Sequence, residues 1–238
     1  MKKNRLFLMI CVLVLLLTSN LSAKTTAENS GGSIRVAGNS IASAAPDVAY
    51  IALGVETRDR SAETASSQNS QIMSDIMKTL KKFGLKDNEI TTSGYYIYSY
   101  QESDRTQEPI EYYYVYNVRN QVNVKVTDLE NVGTIIDLAI KAGANQVQGI
   151  TFDIKNKEDL QLNALKNATR QAREKADAIA EAAGVTIKNI VSISEQTESY
   201  VPYTEEVMFK AAGNRLADTP INPGDVEVKA RVVIEYSF

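Results

Sequence analysis

Between Asn156 and Gly184 the chain places alanine at every fourth position: Ala164, Ala168, Ala172, Ala176 and Ala180. Residues four apart share one face of a helix, so the five methyl groups form a single smooth ridge. Most remaining positions are Leu, Lys, Arg, Glu or Gln, all good helix formers. Asn156 with Asp159 three residues later reads as a cap, and Gly184 as the stop. At about 1.5 Å per residue the segment predicts a helix of roughly 40 Å. A ridge of small residues does no chemistry, but it lets another backbone come close. That backbone is either a sheet of the same chain or a helix of a second copy. Leu160, Leu165 and Ile179 read as core of the same chain, and Lys166, Arg170, Glu174 and Glu181 as its solvated face.

The residues the chain lacks narrow its chemistry. There is no histidine and no tryptophan, and the single cysteine is Cys11. Ser-His-Asp and Cys-His nucleophile systems need histidine, as do most zinc sites. Gly-rich phosphate loops and the dense Asp/Asn pattern of a calcium loop are also missing. The reading therefore assigns no catalytic residue, no cofactor and no metal. Glu174 with Asp177, and Glu205 with Glu206, are the carboxylate pairs that could be drawn, and their spacing does not set them apart from chance.

Residues 1–23 read as a secretory signal peptide: Lys2, Lys3 and Arg5 precede the apolar run Leu6 to Leu17, and Ser22-Ala23 offers small residues for cleavage. The apolar run falls short of the roughly 20 residues that span a bilayer. Membrane attachment is therefore expected only through this segment, if it is retained. Its removal leaves 23 Lys and Arg against 29 Asp and Glu, and no cysteine for a disulfide. Without a basic footprint, nucleic acid is not an expected partner.

Residues 24–33 read as a flexible leader, and 34–238 as the folded region, with a lobe boundary near 126–128. Within it, Ile34 to Ser43 is a strand. The strand after Pro46-Asp47 has apolar or small residues on both sides (Ala49, Ile51, Leu53 and Val55 against Val48, Tyr50, Ala52 and Gly54) and reads as covered on both faces. Ser61 to Phe83 is an amphipathic helix stopped by Gly84. Two long strands, Ile90 to Tyr100 and Tyr112 to Val126, flank the polar tip 101–109 and form a hairpin. Asp128 opens a helix that Gly143 ends, and Gly149 to Ile154 is a short strand. After the alanine helix come a strand from Ile187 to Val201, an irregular segment at 202–225 and a final strand with alternating faces. Val226, Val228, Ala230, Val232, Ile234 and Tyr236 point one way, and Glu227, Lys229, Arg231 and Glu235 the other. The sum is an α+β fold: two-layer packing of mostly antiparallel sheet with three main helices.

Eight of the twelve tyrosines fall in the hairpin. Alternation puts Tyr96, Tyr98 and Tyr100 on one face of their strand, and Tyr112, Tyr114 and Tyr116 on one face of theirs. These six are candidate interaction residues, because tyrosine joins a large apolar area to a polar tip. A cross-strand ladder that only stabilises the hairpin is the alternative.

Taken together, Val36-Ala37-Gly38 before Pro46-Asp47, the helix end Leu80-Lys81-Lys82-Phe83-Gly84 and the strand entry Thr91-Thr92 resemble one family. Gly143-Ala144-Asn145 before Gly149-Ile150-Thr151-Phe152, the spaced alanines with Lys175-Ala176, and Pro220 to Gly224 complete the resemblance, which covers residues 34–238. The order is similar to that of the SIMPL-domain, or YggE-like, family, long labelled a domain of unknown function. The resemblance implies an exported protein, with bacterial relatives described as periplasmic immunogenic proteins or tied to oxidative-stress defence. It also implies ring- or channel-like homo-oligomers for some members and, for an animal relative, an adaptor that binds a kinase. No catalytic residues are established for the family, so none is transferred. At Glu111-Tyr112-Tyr113-Tyr114 this chain departs from the Gly-Tyr of its relatives.

The leading expectation is a non-enzymatic exported protein (periplasmic, secreted or at the cell surface) that acts by homo-oligomer formation and by contact with an unidentified protein partner. The rivals are an extracytoplasmic hydrolase using carboxylates or a Ser-Lys pair, and a module binding cell-wall glycan through the tyrosine hairpin. The methionines are too few and scattered to act as a sacrificial redox sink, so a link to stress defence would be indirect.

Overall fold

The computed structural model describes residues 31–106, 108–205, 221 and 223–238. The expected signal peptide, residues 24–30 of the leader, most of the irregular segment and Pro220 and Asn222 lie outside the described residues. The strands are β1 (Ser33–Ala44), β2 (Val48–Asp59), β3 (Ile90–Asp104), β4 (Glu111–Val126), β5 (Gln146–Asp153), β6 (Asn189–Val201), β7 (Tyr203–Glu205) and β8 (Val226–Ser237). The helices are α1 (Ala62–Phe83), α2 (Val132–Lys141) and α3 (Lys157–Ala183). Every pairing among the described residues is antiparallel: a three-stranded sheet in the order β1-β8-β6 and a five-stranded one in the order β3-β4-β2-β5-β7. The fold is α+β. The chain passes between the sheets at 45–47, at 154–156, at Pro202 and again between β7 and β8, whereas 126–128 lies inside the five-stranded unit, between β4 and a short 3-10 turn leading into α2.

Each sheet has its own core. In the five-stranded sheet, Ile51, Leu53 and Val55 of β2 and Val122 and Val124 of β4 are buried against α1 and α2, which contribute Ile76, Leu80, Ile135 and Ile136. Ser61 caps α1 by accepting the Thr64 N–H, and Gly84 closes it at φ +125°, a conformation that suits glycine. Inside α1, Asn69 is fully buried, and its Nδ2 donates to the Val55 carbonyl of β2 at 3.0 Å and the Val118 carbonyl of β4 at 2.9 Å. This polar clip interrupts an otherwise apolar stripe.

In the three-stranded sheet, α3 lies across β1 and β8. The alternating face of β8 is buried beneath it, and Ala164, Ala168, Ala172 and Ala176 have no solvent exposure at all. The contact is made by backbones. A Cβ placed on Gly38 of β1 would fall 1.8 Å from the Ala168 carbonyl oxygen and 2.7 Å from the Ala172 nitrogen. Only glycine fits facing an alanine ridge at that distance. Leu160 is buried, but Ile179 is 47% exposed and not part of the core, because it sits on the flank of a helix whose Ala176 and Ala180 face the sheet. Asn156 stands at the cap position without capping: its side chain donates to the Asp159 carboxylate instead. Gly184 ends α3 in the left-handed conformation at φ +68°.

Two expectations need correction. The second face of β2 is uncovered by the described residues, with Tyr50 37% exposed, because both helices of this sheet pack on the other side. The hairpin tip is shorter than the polar segment 101–109, since pairing continues to Asp104↔Glu111.

Gly38→Ala and Ala172→Leu should each lower stability by about 1–3 kcal/mol, the cost of overpacking a tight contact. Ile179→Ala should stay within about 0.5 kcal/mol of the parent. Urea midpoints of the three variants check this.

Candidate functional site

The sheet edges are finished unequally. The outer edge of β1 is closed by α3: Gln171 Oε1 accepts the Asn39 N–H at 2.8 Å, and Lys175 Nζ donates to the Ala37 carbonyl at 2.9 Å. β7 pairs with the edge of β5. The remaining edges, those of β3, of β6 and of β7 itself, carry no further strand among the described residues.

β6 exposes the most aliphatic residues of these. From Asn189 to Gln196 every residue is exposed, and the exposed set includes Ile190 at 53%, Val191 at 60% and Ile193 at 59%. Ile190 pairs with Tyr236 and Ile193 with Ile234, so both lie on the face that α3 covers over β8 but leaves open over β6. A register shift between Ile190 and Ser192 inserts Val191 as an extra residue. The sequence predicted a strand here and no surface. The missed signal was three aliphatic residues in Asn189–Gln196, before the strand returns to the core only at Tyr200.

The hairpin does not form a tyrosine ladder. Its register sets Tyr96 against Arg119, Tyr98 against Asn117 and Tyr100 against Val115, while Tyr112 faces Ser103, Tyr114 faces Gln101 and Tyr116 faces Ser99. Directly paired residues share a face, so the two triplets lie on opposite sides of the hairpin. Tyr96, Tyr98, Tyr112 and Tyr114 are exposed, and Tyr100 and Tyr116 are half-buried. The Tyr98 and Tyr100 rings are 6.4 Å apart, centroid to centroid.

On the Tyr98 side, the uncovered face of the five-stranded sheet carries a polar network centred on Glu56 of β2. Its Oε1 accepts Asn117 Nδ2 at 2.6 Å, and its Oε2 accepts Arg119 Nη2 at 2.8 Å and Gln146 Nε2 at 3.4 Å. Asn145 pins the same residue through its backbone, donating to the Glu56 carbonyl and accepting its N–H. Hydrogen bonds from Asn117 and then Arg119 hold the Glu56 carboxyl below its ordinary value, against the opposing effect of burial. Beyond it, Arg58 pairs with Glu102 and lies 5.4 Å from the Tyr100 ring centre.

No three His, Cys, Asp or Glu side chains among the described residues are placed to hold a metal ion. Of the carboxylate pairs, Asp177 is committed to Arg173 at 2.9 Å, and Glu206 lies outside the described residues. No helix among the described residues is long and apolar enough to cross a membrane.

The model of the SIMPL family, described as "Protein of unknown function (DUF541)", matches residues 34–236. The chain belongs to the SIMPL family. Among its relatives, the 26 kDa periplasmic immunogenic protein of Brucella melitensis is 30% identical over 174 residues, covering 71% of this chain and 68% of the relative. The uncharacterized protein YggE of Edwardsiella ictaluri is 25% identical, covering 76% and 75%. YggE of Escherichia coli K12 is 23% identical, covering 86% and 82%.

The Glu56 network predicts a pH signature. Because its folded value lies below the ordinary 4.5, its contribution is complete above that value and is lost as pH falls through the lowered folded one. Glu56→Gln should cost about 1 kcal/mol at neutral pH. Denaturation series across acid pH should show the deficit closing as wild-type Glu56 becomes protonated.

Proposed function

We propose that this is an exported, non-enzymatic protein that works by assembling with copies of itself, the first contact being made along β6. Export is supported by the signal-like segment 1–23 and by a relative whose name places it in the periplasm. The observation that carries the assembly reading is the bare β6 edge. An edge strand offers a row of unpaired N–H and C=O groups, and proteins that stay monomeric blunt such edges with charge, proline, bulges or a covering element. This chain blunts β1 with Gln171 and Lys175 of α3. At the opposite edge of the same sheet two register shifts and Glu195 interrupt β6, yet Ile190, Val191 and Ile193 are exposed with no covering element among the described residues.

Pairing of β6 with β6 of a second copy, antiparallel about a two-fold axis, satisfies both backbones and removes those side chains from water. Burial at about 25 cal/mol per Å² makes such an aliphatic cluster a contributor of a few kcal/mol. Exposed Tyr112 and Tyr114, on one side of the hairpin, are a second contact, through which such pairs join into larger assemblies or meet a partner protein. Any bearing on envelope or stress defence follows from the assembly, since the chain after residue 23 holds no cysteine or histidine for redox work.

Sedimentation velocity over a concentration series tests this. Wild type should shift from monomer to a larger species by roughly 10 µM, within the weak range of specific association. Ile193→Lys should abolish the shift without lowering the urea midpoint. A wild-type chain that stays monomeric across the series, or a variant that assembles unchanged, refutes the β6 contact.

A further inference from the structure

The uncovered face of the five-stranded sheet has a composition that self-assembly through β6 does not use. Along β4, every second residue from Asn117 to Asn123 points to this face: Asn117, Arg119, Gln121 and Asn123. Gln146 of β5 joins them across Gly54. Asparagine is a poor strand former, so a strand presenting Asn117 and Asn123 on this face departs from local preference. Such departures concentrate where function sets the residue.

The charges on this part of the face cancel in place. Glu56 neutralises Arg119 and Arg58 pairs with Glu102, while Arg60 is stacked over the Tyr113 ring at the hairpin end and Lys125 stands apart at the far end of the row. What is left for a ligand is a set of carboxamides, each able both to donate and to accept. The floor between them is low, because Ala52 and Gly54 of β2 separate the longer side chains of β4 and β5. Gly54 leaves little room for more, since a Cβ there would come within 3.2 Å of Gln146 Cβ. Tyr98 is 47% exposed and sits directly across from Asn117, presenting a ring beside the amide row. One acceptor is already desolvated and unused: Asn117 is 6% exposed, and its Oδ1 has no hydrogen-bond partner.

From this arrangement we infer that the face binds an uncharged oligosaccharide, its hydroxyls meeting Gln121, Asn123 and Gln146 and one sugar ring resting on Tyr98. A hydroxyl is donor and acceptor at once, as a carboxamide is, and the apolar side of a pyranose suits a tyrosine ring. A protein partner fits less well, because the core of such an interface is apolar and this face is not. An anion or cation fits less well still, with the ion pairs closed on themselves. The site lies within one chain and does not depend on β6 pairing.

Isothermal titration of the purified protein with three neutral tetrasaccharides (chitotetraose, cellotetraose and maltotetraose) tests the assignment. At least one should bind saturably, with Kd between about 0.1 and 1 mM, the range of a shallow, solvent-open site. Tyr98→Ala and Gln121→Ala should each weaken it about tenfold, while Tyr112→Ala, on the opposite side of the hairpin, should leave it unchanged. Ile193→Lys should also bind as wild type does, which separates this site from the assembly contact. The inference is overturned if none of the three sugars binds up to about 10 mM. It is equally overturned if Tyr112→Ala weakens binding as much as Tyr98→Ala, or if Ile193→Lys abolishes it.

Discussion

The architecture of the three-stranded sheet rests on the approach of the α3 backbone to β1 at Gly38. An ordinary side chain at that point would occupy the space of the Ala168 carbonyl, so the helix could not settle there. With glycine below and alanine above, α3 sits low enough for Gln171 and Lys175 to reach over the side of the sheet and satisfy β1's outer backbone. The same closeness sets the reach of the helix. An α-helix with its side chains is about 10–12 Å across, and strands are spaced about 4.8 Å apart, so one helix covers about two strands. Here those are β1 and β8. The third strand, β6, is left bare on the side that would otherwise be core, and its aliphatic residues meet water as a consequence of helix width.

The five-stranded sheet follows the same geometry on a larger scale. α1 and α2 bury the apolar face of β2, β4 and β5, and leave β3 at the margin with Tyr95 and Ile97 half out in solvent. Among the described residues no helix approaches the other face, where Glu56 gathers Asn117, Arg119 and Gln146. A desolvated carboxylate would be costly alone, and hydrogen bonds to its charged form remove that cost. The network therefore makes a polar sheet face rigid without covering it. Rigid, uncovered and internally neutral surfaces suit recognition of neutral groups better than association through charge.

Several of these features were legible before any coordinates. Strict alternation in Val226–Ser237 identified a strand with one wet and one dry face. The glycines after α1, α2 and α3 marked their ends, and the alanine spacing marked a face built for close approach. The tyrosine triplets were visible as triplets, yet whether they opposed one another was not. Facing depends on register, and a shift of one residue turns a strand over. The irregularity between Thr92 and Gly94 and the pairing of Tyr100 with Val115 are settled by the packing of both strands, not by either strand's pattern. Asn69 was hidden for a related reason: a buried amide that bridges two strands looks, in sequence, like one polar residue on an apolar stripe.

The sequence by itself therefore determined the elements, the alternating faces of β8 and the absence of histidine- or thiol-based chemistry after residue 23, because propensity, periodicity and residue inventory are local properties. Tertiary structure alone decided which strands became edges, which edge α3 closed, and which sheet face stayed open. It brought Gly38 under Ala168 and Glu56 beside Arg119, pairs separated by 130 and 63 positions in the chain. Exposure is a property of what packs against a residue, and no local pattern in β6 or the hairpin carries that information.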